Sequence, residues 1–321
     1  MYERKGDGLA HCFVYHSADG LVLYPFLLRR IDDLPQFRGI EKCWDTTTPY
    51  GYGGPLWRLS AKGSLQALGS GFLVAFHSYC SKHKIVSEFA RLHPLIGNDH
   101  LLPAARVTQR HETVVLDLDQ PDSEIWRGIR KGHRSSIKKG LRSKVDVVHD
   151  EKLAYLDIFF RLYTETMERQ GGAASYFLPL DFFSNTLTML GDHASLFVAM
   201  HEEEVATAAI FLRYGDFVHY HFSGADADLR HLCANHVLIH EVAKWARARG
   251  AKTFHLGGGL GQDDNLFLFK SGFSRRRTMF HTYACIHDPA RYKGLVEKRE
   301  ESSACGEASK GKHQFFPQYR A

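Results

Sequence analysis

The order of apolar segments between residues 153 and 286 constrains the fold of this 321-residue chain more than any other feature. Two helical patterns come first, in which apolar residues recur at steps of three and four, and a meander of three predicted strands follows. A helix, a strand, a helix and a last strand complete the order. This succession predicts an α+β fold in which helices flank a twisted, mostly antiparallel sheet. The segments are Leu153–Arg169, Leu180–Leu190, Ser195–Met200, Val205–Tyr214, Phe217–Ser223, Ala234–Gly250, Thr253–Leu256, Leu266–Phe273 and Thr278–Ile286.

The first 120 residues also predict helices alternating with strands. Asp19-Gly20 favours a hairpin turn between two apolar segments, and the glycines of Tyr50–Pro55 would let the backbone approach another surface closely. The segments are two strands at His11–Tyr15 and Leu21–Leu28, a helix at Ser64–His83, and strands at Ile85–Arg91 and Glu112–Leu118.

A run of basic residues between Trp126 and Lys144 marks a change in composition. It contains eight Lys and Arg residues and no acidic residue. The charge of this run, +8, exceeds the net charge of +5 of the whole chain. Ile129, Ile137 and Leu141 fit one helical face, so the run predicts a basic amphipathic helix. Two interpretations remain open for its outer face, a solvated structural helix or a surface that binds an anion.

Several classes of site are not indicated by the sequence. The six cysteines contain no C-x-x-C pair, the 20 histidines contain no H-E-x-x-H motif, and G-x-S-x-G is absent. We therefore predict no metal site and no cofactor, and we interpret the cysteines as buried or incidental thiols. The N-terminus lacks the pattern of a signal peptide, and no apolar run reaches the roughly 18 residues of a membrane helix. These features predict a cytoplasmic protein.

The composition changes suggest four regions. We predict an N-terminal unit at residues 1–126, a basic boundary helix at 127–145, a C-terminal catalytic unit at 146–298 and a loosely ordered tail at 299–321.

The predicted order of elements resembles the GNAT acyltransferase fold. In that fold the N-terminus of the helix after the meander receives the pyrophosphate of an acyl carrier, because unpaired N–H groups and the helix dipole favour an anion there. The resemblance assigns acyl-donor contacts to Ser223, Gly224, Arg230 and Asn235. The sequence departs from the usual pattern at Cys233 and Asn235, where glycines are expected, and this puts ordinary coenzyme A binding in doubt.

Several motifs together resemble the Fem-type aminoacyl and peptidyl transferases, which contain two GNAT-like domains in tandem. The first unit is expected to be trimmed, because the N-terminus lacks the first helix of a complete GNAT-like unit. The motifs cover the chain from about residue 10 to 290: YGYGGPL (Tyr50–Leu56), FARLHPLIGN (Phe89–Asn98), the basic run (Arg130–Leu141), YHFSGAD (Tyr220–Asp226), FHLGGG (Phe254–Gly259) and LFLFKSGF (Leu266–Phe273).

The Fem resemblance implies direct attack of an amine on the ester carbonyl of an aminoacyl-tRNA, with no metal and no covalent intermediate. It places the Phe269 carbonyl as the group that orients the amine and Lys270 as the cation that stabilises negative charge. Tyr220 would donate to the same oxyanion. The open alternatives are a surface lysine beside an aromatic core for Lys270, and a core tyrosine for Tyr220. Further implied contacts are Arg169, Tyr176 and Tyr52 for the acceptor, and Arg134, Lys138, Lys139 and Arg142 for the tRNA.

The expected function is transfer of an amino acid from aminoacyl-tRNA to the amine of a peptide-containing acceptor, either a cell-wall precursor or a peptide natural product. The closest alternative is a GNAT-fold N-acyltransferase that uses an acyl-CoA or acyl-carrier-protein thioester. A non-catalytic RNA-binding module is a third possibility, but it would have no need of the Phe269-Lys270 segment or of the glycine loop before it.

Overall fold

The computed structural model describes residues 1–259, 264–303 and 315–321. The chain divides into two compact units. The central unit consists of residues 111–278 together with Met1, and the terminal unit combines residues 2–110 with residues 279–321. Among the described residues, no helix is both long and apolar enough to cross a bilayer.

The terminal unit is built on a mixed sheet in which both ends of the chain take part. Its strand order is β1-β2-β3-β5-β12, and β4 pairs with β2. The pairs are antiparallel except β3 with β5, and residues 282–286 of β12 lie antiparallel to residues 87–91 of β5. The strands are β1 (Leu9–Ser17), β2 (Gly20–Arg30), β3 (Trp44–Thr47), β4 (Leu56–Leu59), β5 (Ile85–Arg91) and β12 (Arg277–Ile286).

Among its described residues, the terminal unit contains three helices: α1 (Tyr2–Lys5), α2 (Leu65–Lys82) and α9 (Pro289–Ser303). The Ser64 hydroxyl caps α2 by accepting the Ala67 N–H at 3.3 Å. The apolar face of α2 packs Phe72 and Phe76 against Tyr24 of β2, in contacts between tilted and edge-on rings.

The central unit contains a six-stranded sheet of order β6-β11-β10-β9-β8-β7. Neighbouring strands are antiparallel except β10 and β11, which are parallel. Nearly every residue of β8 is buried, as is typical of a strand covered on both faces. The strands are β6 (Val107–Asp117, which enters from the terminal unit), β7 (Val145–His149), β8 (Ala194–His201), β9 (Glu204–Tyr214), β10 (Phe217–Ala225) and β11 (Thr253–Gly257).

The helices of the central unit cover this sheet. Val237, Leu238 and Val242 of α7 belong to its main apolar core. Gly140 allows α4 to lie directly against α7, because a Cβ there would fall 2.5 Å from Val237 Cγ2. The helices are α3 (Asp122–Gly128), α4 (Lys131–Arg142), α5 (Leu156–Arg169), α6 (Leu180–Leu190), α7 (Ala234–Ala248) and α8 (Asn265–Ser271).

The predicted α+β class and element order are confirmed, including the helix predicted at Leu266–Phe273, which spans Asn265–Ser271 and is capped by Asp264. Two local differences occur. Leu141 is 46% exposed, because His133, Ile137 and Gly140 form the inner face of α4. The tail is ordered where it is described: residues 299–303 continue α9, and the fully buried Tyr319 donates its hydroxyl to Asp45 at 3.0 Å.

The bounds of the two compact units also differ from the predicted regions. Residues 111–145 belong to the central unit, and residues 279–298 belong to the terminal unit. The physical reason is the long-range pairing of β12 with β5, which no local composition signal reveals.

Candidate active site

A fork between two strands of the central sheet forms the centre of the candidate site. β10 and β11 pair over only three residues each, and the last pair is His219 with His255. Directly beyond it, the register of β10 with β9 shifts between Tyr220 and Phe222, which indicates a β-bulge. Tyr220 therefore lies where the parallel strands separate. The two strands thus splay apart beyond the pair of His219 with His255.

Lys270 lies against this fork as a buried cation. Lys270 lies on α8, and only 8% of the residue is exposed to solvent. The ammonium donates to the carbonyl of Gly258 at 2.6 Å, and Nζ lies 5.8 Å from the centre of the Tyr220 ring. Burial lowers the pKa of Lys270 to about 8, and the charge of Asp264 partly opposes this effect. The alternative of a surface lysine is wrong.

The glycine loop after β11 permits the backbone approach that this contact requires. A Cβ on Gly258 would fall 2.6 Å from the His111 ring, and one on Gly259 would fall 2.2 Å from the Asp264 carboxylate. Asp264 in turn caps α8 by accepting the Phe267 N–H at 2.7 Å. These glycines let the loop pass close to the start of the Lys270 helix. Gly261, which belongs to the same glycine-rich stretch of the sequence, lies outside the described residues.

The carbonyl of Phe269 already accepts two hydrogen bonds. The Nε2–H of His133 donates to it at 2.7 Å, and the N–H of Gly272 donates at 3.1 Å. Because a carbonyl oxygen has two lone pairs, an attacking amine would have to displace one of these donors. This geometry does not favour the predicted orienting role of the Phe269 carbonyl.

His133 is a site residue that the sequence reasoning missed. It is 5% exposed, and its ring packs edge-on against His236 and Phe273. Burial is the main reason that its pKa is lowered. Together with a bond from the Arg130 N–H to the Gly272 carbonyl at 2.8 Å, it fastens α4 to the end of α8. Its position four residues after Ile129 and four before Ile137, on the apolar face, is the signal that could have revealed it.

A chain of buried hydrogen bonds also reaches the fork. The Thr113 hydroxyl donates to the Thr278 carbonyl at 3.2 Å, so Thr113 accepts the Nε2–H of His255 at 2.8 Å. The Nδ1 atoms of His255 and His219 lie 3.1 Å apart, so one of the two rings donates to the other. The pairing of these two histidines across β10 and β11 has no signal in the sequence, because it depends on the register of two strands that are distant in the chain.

The predicted acyl-donor residues have mixed surroundings. The Ser223 hydroxyl hydrogen-bonds the Tyr220 phenol, whose pKa burial raises to about 12. Gly224 allows β10 to lie against the α5 backbone, because a Cβ there would fall 2.3 Å from the Tyr163 nitrogen. The Thr207 hydroxyl bonds both the Gly224 carbonyl and the Asn235 side chain, at 2.9 and 2.6 Å. Gly224 and Asn235 therefore have structural contacts.

The turn before α7 contains one residue with a glycine-like backbone conformation. Cys233 has a φ of +59°, in the left-handed region that favours glycine. Arg230 is exposed on the preceding 3₁₀ turn, Asp228–Leu232. At Cys233, where the GNAT resemblance expects glycine, the backbone therefore adopts a conformation that glycine favours.

The predicted acceptor residues belong to both compact units. The Arg169 guanidinium donates to the Thr166 hydroxyl and the Ala225 carbonyl at 3.0 and 2.9 Å, which ties the end of α5 to the end of β10. The main-chain carbonyl of Tyr176 accepts the Tyr163 hydroxyl at 2.7 Å. Tyr52 belongs to the terminal unit, where its ring packs edge-on against Phe280 at 5.3 Å.

The basic helix α4 presents most of its predicted tRNA residues to solvent. Lys138, Lys139 and Arg142 are exposed, and Lys138 Nζ lies 5.9 Å from the centre of the Trp126 ring. Arg134 differs, because its Nη1 donates to the carbonyls of Arg127 and Ile129, both at 3.1 Å. Arg134 therefore closes the end of α3.

Comparisons with known proteins agree with this geometry. Residues 124–265 match the family model described as the acetyltransferase (GNAT) domain. Over 228 residues the chain is 27% identical to a UDP-N-acetylmuramoylpentapeptide-lysine N(6)-alanyltransferase of Weissella viridescens, covering 69% of this chain and 63% of that protein. The chain thus spans less than two thirds of the length of that relative.

Two solved structures share the fold. A crystal structure of FemX matches with a TM-score of 0.67 at 14% identity, covering 90% of this chain and 91% of the other. The C-terminal domain of a putative lysylphosphatidylglycerol synthetase from Agrobacterium fabrum matches with a TM-score of 0.52 at 13% identity, covering 91% and 88%. The GNAT-like fold and the resemblance to Fem-type proteins that the motifs predict are confirmed.

Proposed function

The chain carries a GNAT acyltransferase domain and resembles the Fem-type transferases in sequence and fold, and on that premise we propose that it transfers an aminoacyl group to an amine. The proposed donor is aminoacyl-tRNA and the proposed acceptor is the amine of a peptide-containing molecule, such as a cell-wall precursor. The Weissella relative is named for alanyl transfer to a lysine of such a precursor. A charged tRNA as donor implies a reaction in the cytoplasm.

The buried ammonium of Lys270 at the strand fork is the observation that carries this proposal. A burial-lowered pKa of about 8 leaves most of the lysine protonated at neutral pH. One of its three N–H groups is used by Gly258, and two remain to donate. A fixed cation in a water-poor site stabilises developing negative charge far better than it would in water.

The proposed reaction forms one bond and breaks one. The acceptor nitrogen attacks the ester carbonyl carbon, and the resulting oxyanion is stabilised by Lys270 and, through its neutral hydroxyl, by Tyr220. The C–N bond forms, the C–O bond to the ribose breaks, and the departing ribose oxygen takes up the proton that the amine loses. Because the Phe269 carbonyl is engaged, we assign it the task of holding α8 in place through His133.

The exposed cations of α4 are the proposed contact for the tRNA backbone. Lys138, Lys139 and Arg142 lie within two turns of one helix, and contacts of this kind supply affinity that is independent of sequence. Arg134 is left out of this set because of its role at the end of α3.

An acyl-CoA or acyl-carrier-protein donor is the second candidate. It is favoured by the turn at Cys233, which keeps the left-handed backbone before the N-terminus of α7. Both candidates use Lys270 and differ in the leaving group. The experiment therefore has to separate the donors.

The test presents the purified full chain with a radiolabelled aminoacyl-tRNA pool and a set of peptide amines, and in parallel with acetyl-CoA and the same amines. We expect label transfer from tRNA that is abolished by RNase pretreatment. Transfer from acetyl-CoA that survives RNase would contradict the tRNA proposal and favour the second candidate. Absence of transfer from either donor would contradict both.

Matched lysine variants test the role of Lys270 in catalysis. Lys270→Met should lower the rate of transfer by two or more orders of magnitude, while replacement of the exposed Lys252 by Met should leave the rate unchanged.

Charge-reversal variants test the tRNA contact of α4. Reversal of Lys139 and Arg142 to Glu should weaken tRNA binding, and the slope of log affinity against log salt concentration should become shallower by roughly 0.7 to 0.9 per lost phosphate contact. Reversal of the exposed Lys152 and Lys244 makes the same change in net charge and should leave the slope intact. Equal effects of both pairs would reject α4 as the binding surface.

A further inference from the structure

The strand β1 leaves one edge of the sheet in the terminal unit open. Among the described residues it pairs with β2 alone, and no main-chain hydrogen bond joins it to another element. In an antiparallel pair only alternate residues direct their N–H and C=O groups to the neighbouring strand, so the other residues of β1 direct theirs away from β2. The outer edge of β1 therefore offers a row of main-chain donors and acceptors to a further strand.

This edge lacks the features that normally protect an edge strand. β1 has nine residues and contains no Lys, Arg, Asp, Glu or Pro, and its register with β2 runs without a shift from Leu9 to Ser17. By contrast, the edge strand β7 of the central unit has five residues and carries the exposed carboxylate of Asp146. Short strands, charged side chains, prolines and bulges are the usual means by which proteins prevent pairing with another chain. The composition of β1 permits such pairing.

The two faces of β1 differ in their surroundings. On one face, Phe13 packs edge-on against Phe76 of α2, with 5.2 Å between the ring centres. On the other face, Val14 lies opposite Leu23 of β2, and Leu23 lies opposite Leu56 of β4. These three apolar residues are between 37% and 57% exposed. They form an apolar row across three strands, and the row begins at the open edge.

From this edge we infer that β1 pairs antiparallel with β1 of a second copy of this chain. In the register that pairs all nine residues, Phe13 lies opposite Phe13 of the second copy, on a twofold axis. Each residue with outward main-chain groups then lies opposite another such residue, and the two exchange both of their hydrogen bonds. Such a contact uses the same surface on both copies, so it closes at a dimer.

The side chains of β1 are self-complementary in this register. His11 lies opposite Tyr15 of the second copy, so aromatic rings meet on the face of α2, while Cys12 lies opposite Val14 on the open face. Pairs of these kinds stabilise neighbouring strands, and no like charges meet, because β1 carries none of the charged residue types. Since Cys12 is also opposite Pro25 in its own hairpin, the apolar row continues into the second copy. This match is the reason that a second copy of this chain, and not a strand of another protein, is the inferred occupant.

Sedimentation of the untagged full chain over a range of concentrations tests the pairing without reference to activity. We expect reversible conversion from one copy to two as the concentration rises. Cys12→Lys combined with Val14→Lys places lysines directly opposite each other and should raise the dimer Kd at least tenfold. Both positions are exposed, so the thermal midpoint of the monomer should be kept. The control, Val74→Lys with Met189→Lys, adds the same charge at exposed positions outside β1 and should leave Kd unchanged.

Disulfide cross-linking tests the register. Val14→Cys introduces a thiol opposite the native Cys12 of the second copy, and oxidation with copper phenanthroline should give a covalent dimer. In Cys12→Ser with Val14→Cys, the introduced thiols of the two copies lie diagonally across the strands, and most of the covalent dimer should be lost. A chain that stays monomeric at every concentration, a dimer that the lysine pair leaves intact, or cross-linking that does not need Cys12 would overturn the inference.

Discussion

Replacing Lys270 by methionine should make the protein more stable while it abolishes transfer. Burial lowers the pKa of Lys270 from its ordinary 10.5 to about 8. Each pKa unit corresponds to about 1.4 kcal/mol, so holding this ammonium in the folded state costs roughly 3 kcal/mol near neutral pH. Methionine removes that cost, loses the hydrogen bond to Gly258 worth about 1 kcal/mol, and has a similar volume. The expected net gain in the free energy of unfolding is about 2 kcal/mol.

The sign of the pH dependence follows from proton linkage. Between pH 8 and 10.5 the unfolded chain still binds the proton that the folded chain has released, so the native protein becomes more stable as pH rises through this window. The methionine variant lacks this contribution. Its advantage should therefore be full below pH 8 and decrease above it, and by about pH 10.5 only the lost hydrogen bond should remain, which leaves the variant about 1 kcal/mol less stable than the native protein.

Urea unfolding of the native chain and the variant at a series of pH values measures this difference. Lys252→Met is the control, because Lys252 is exposed and its side chain pairs with Asp216 at the surface. A Lys270→Met variant that is less stable than the native protein at pH 7 would refute the description of Lys270 as a destabilising buried cation. So would an advantage that persists unchanged to pH 10.5.

Three further predictions concern the elements around the site. Gly140→Ala should lower the free energy of unfolding by about 1 to 3 kcal/mol, since its Cβ would lie 2.9 Å from the Leu232 carbonyl. The control is Gly132→Ala on the same helix, where the Cβ has open space, and it should be neutral or stabilising by up to about 1 kcal/mol. Equal stability of the two variants in urea unfolding would contradict the packing of α4 on α7. His133→Leu should lower both the stability and kcat, because the Phe269 carbonyl loses the hydrogen bond that His133 donates to it. The conservative variant His133→Gln should recover part of kcat. A normal kcat for the leucine variant would reject the positioning role of His133. Burial lowers the pKa of His236 to about 4, so below about pH 6.5 the unfolded chain binds a proton that the folded chain does not, and stability falls as the pH is lowered from about 6.5 to about 4; His236→Gln should reduce this loss in acid unfolding curves, and identical curves would count against it.

The helices and strands were largely readable from sequence, because their signals are local. The periodicity of the segment that became α5 and the turns of the β8–β10 meander depend on neighbouring residues alone. The helix α8 was harder, since its apolar run is only seven residues long and its type is decided by the Asp264 cap. The composition of residues 299–321 indicated disorder, yet Tyr319 is buried by contacts with residues more than 230 positions away.

Candidate site residues could be proposed from the sequence, whereas their contacts could not. The Fem-type resemblance points to Lys270 and Tyr220, but the burial of Lys270 depends on the Gly258 carbonyl twelve residues earlier and on the glycine loop to which it belongs. His133 lies 136 residues from the Phe269 carbonyl that it bonds, and no periodicity connects them. Such contacts are fixed by how β11, α4 and α8 pack, which is a property of the folded unit.

The geometry around Lys270 also indicates which protonation state acts. The Gly258 carbonyl and the face of the Tyr220 ring both attract a positive charge, and neither favours the neutral amine. Near pH 7 the lysine is therefore mostly a cation, able to donate to the oxyanion, and loss of its proton near pH 8 removes that donor. Tyr220 stays neutral far above this range, because its pKa is raised to about 12. The rate of transfer, corrected for the spontaneous loss of the donor ester, should thus fall as pH rises through about 8. A rate that instead increases above pH 8 would assign Lys270 the role of a base.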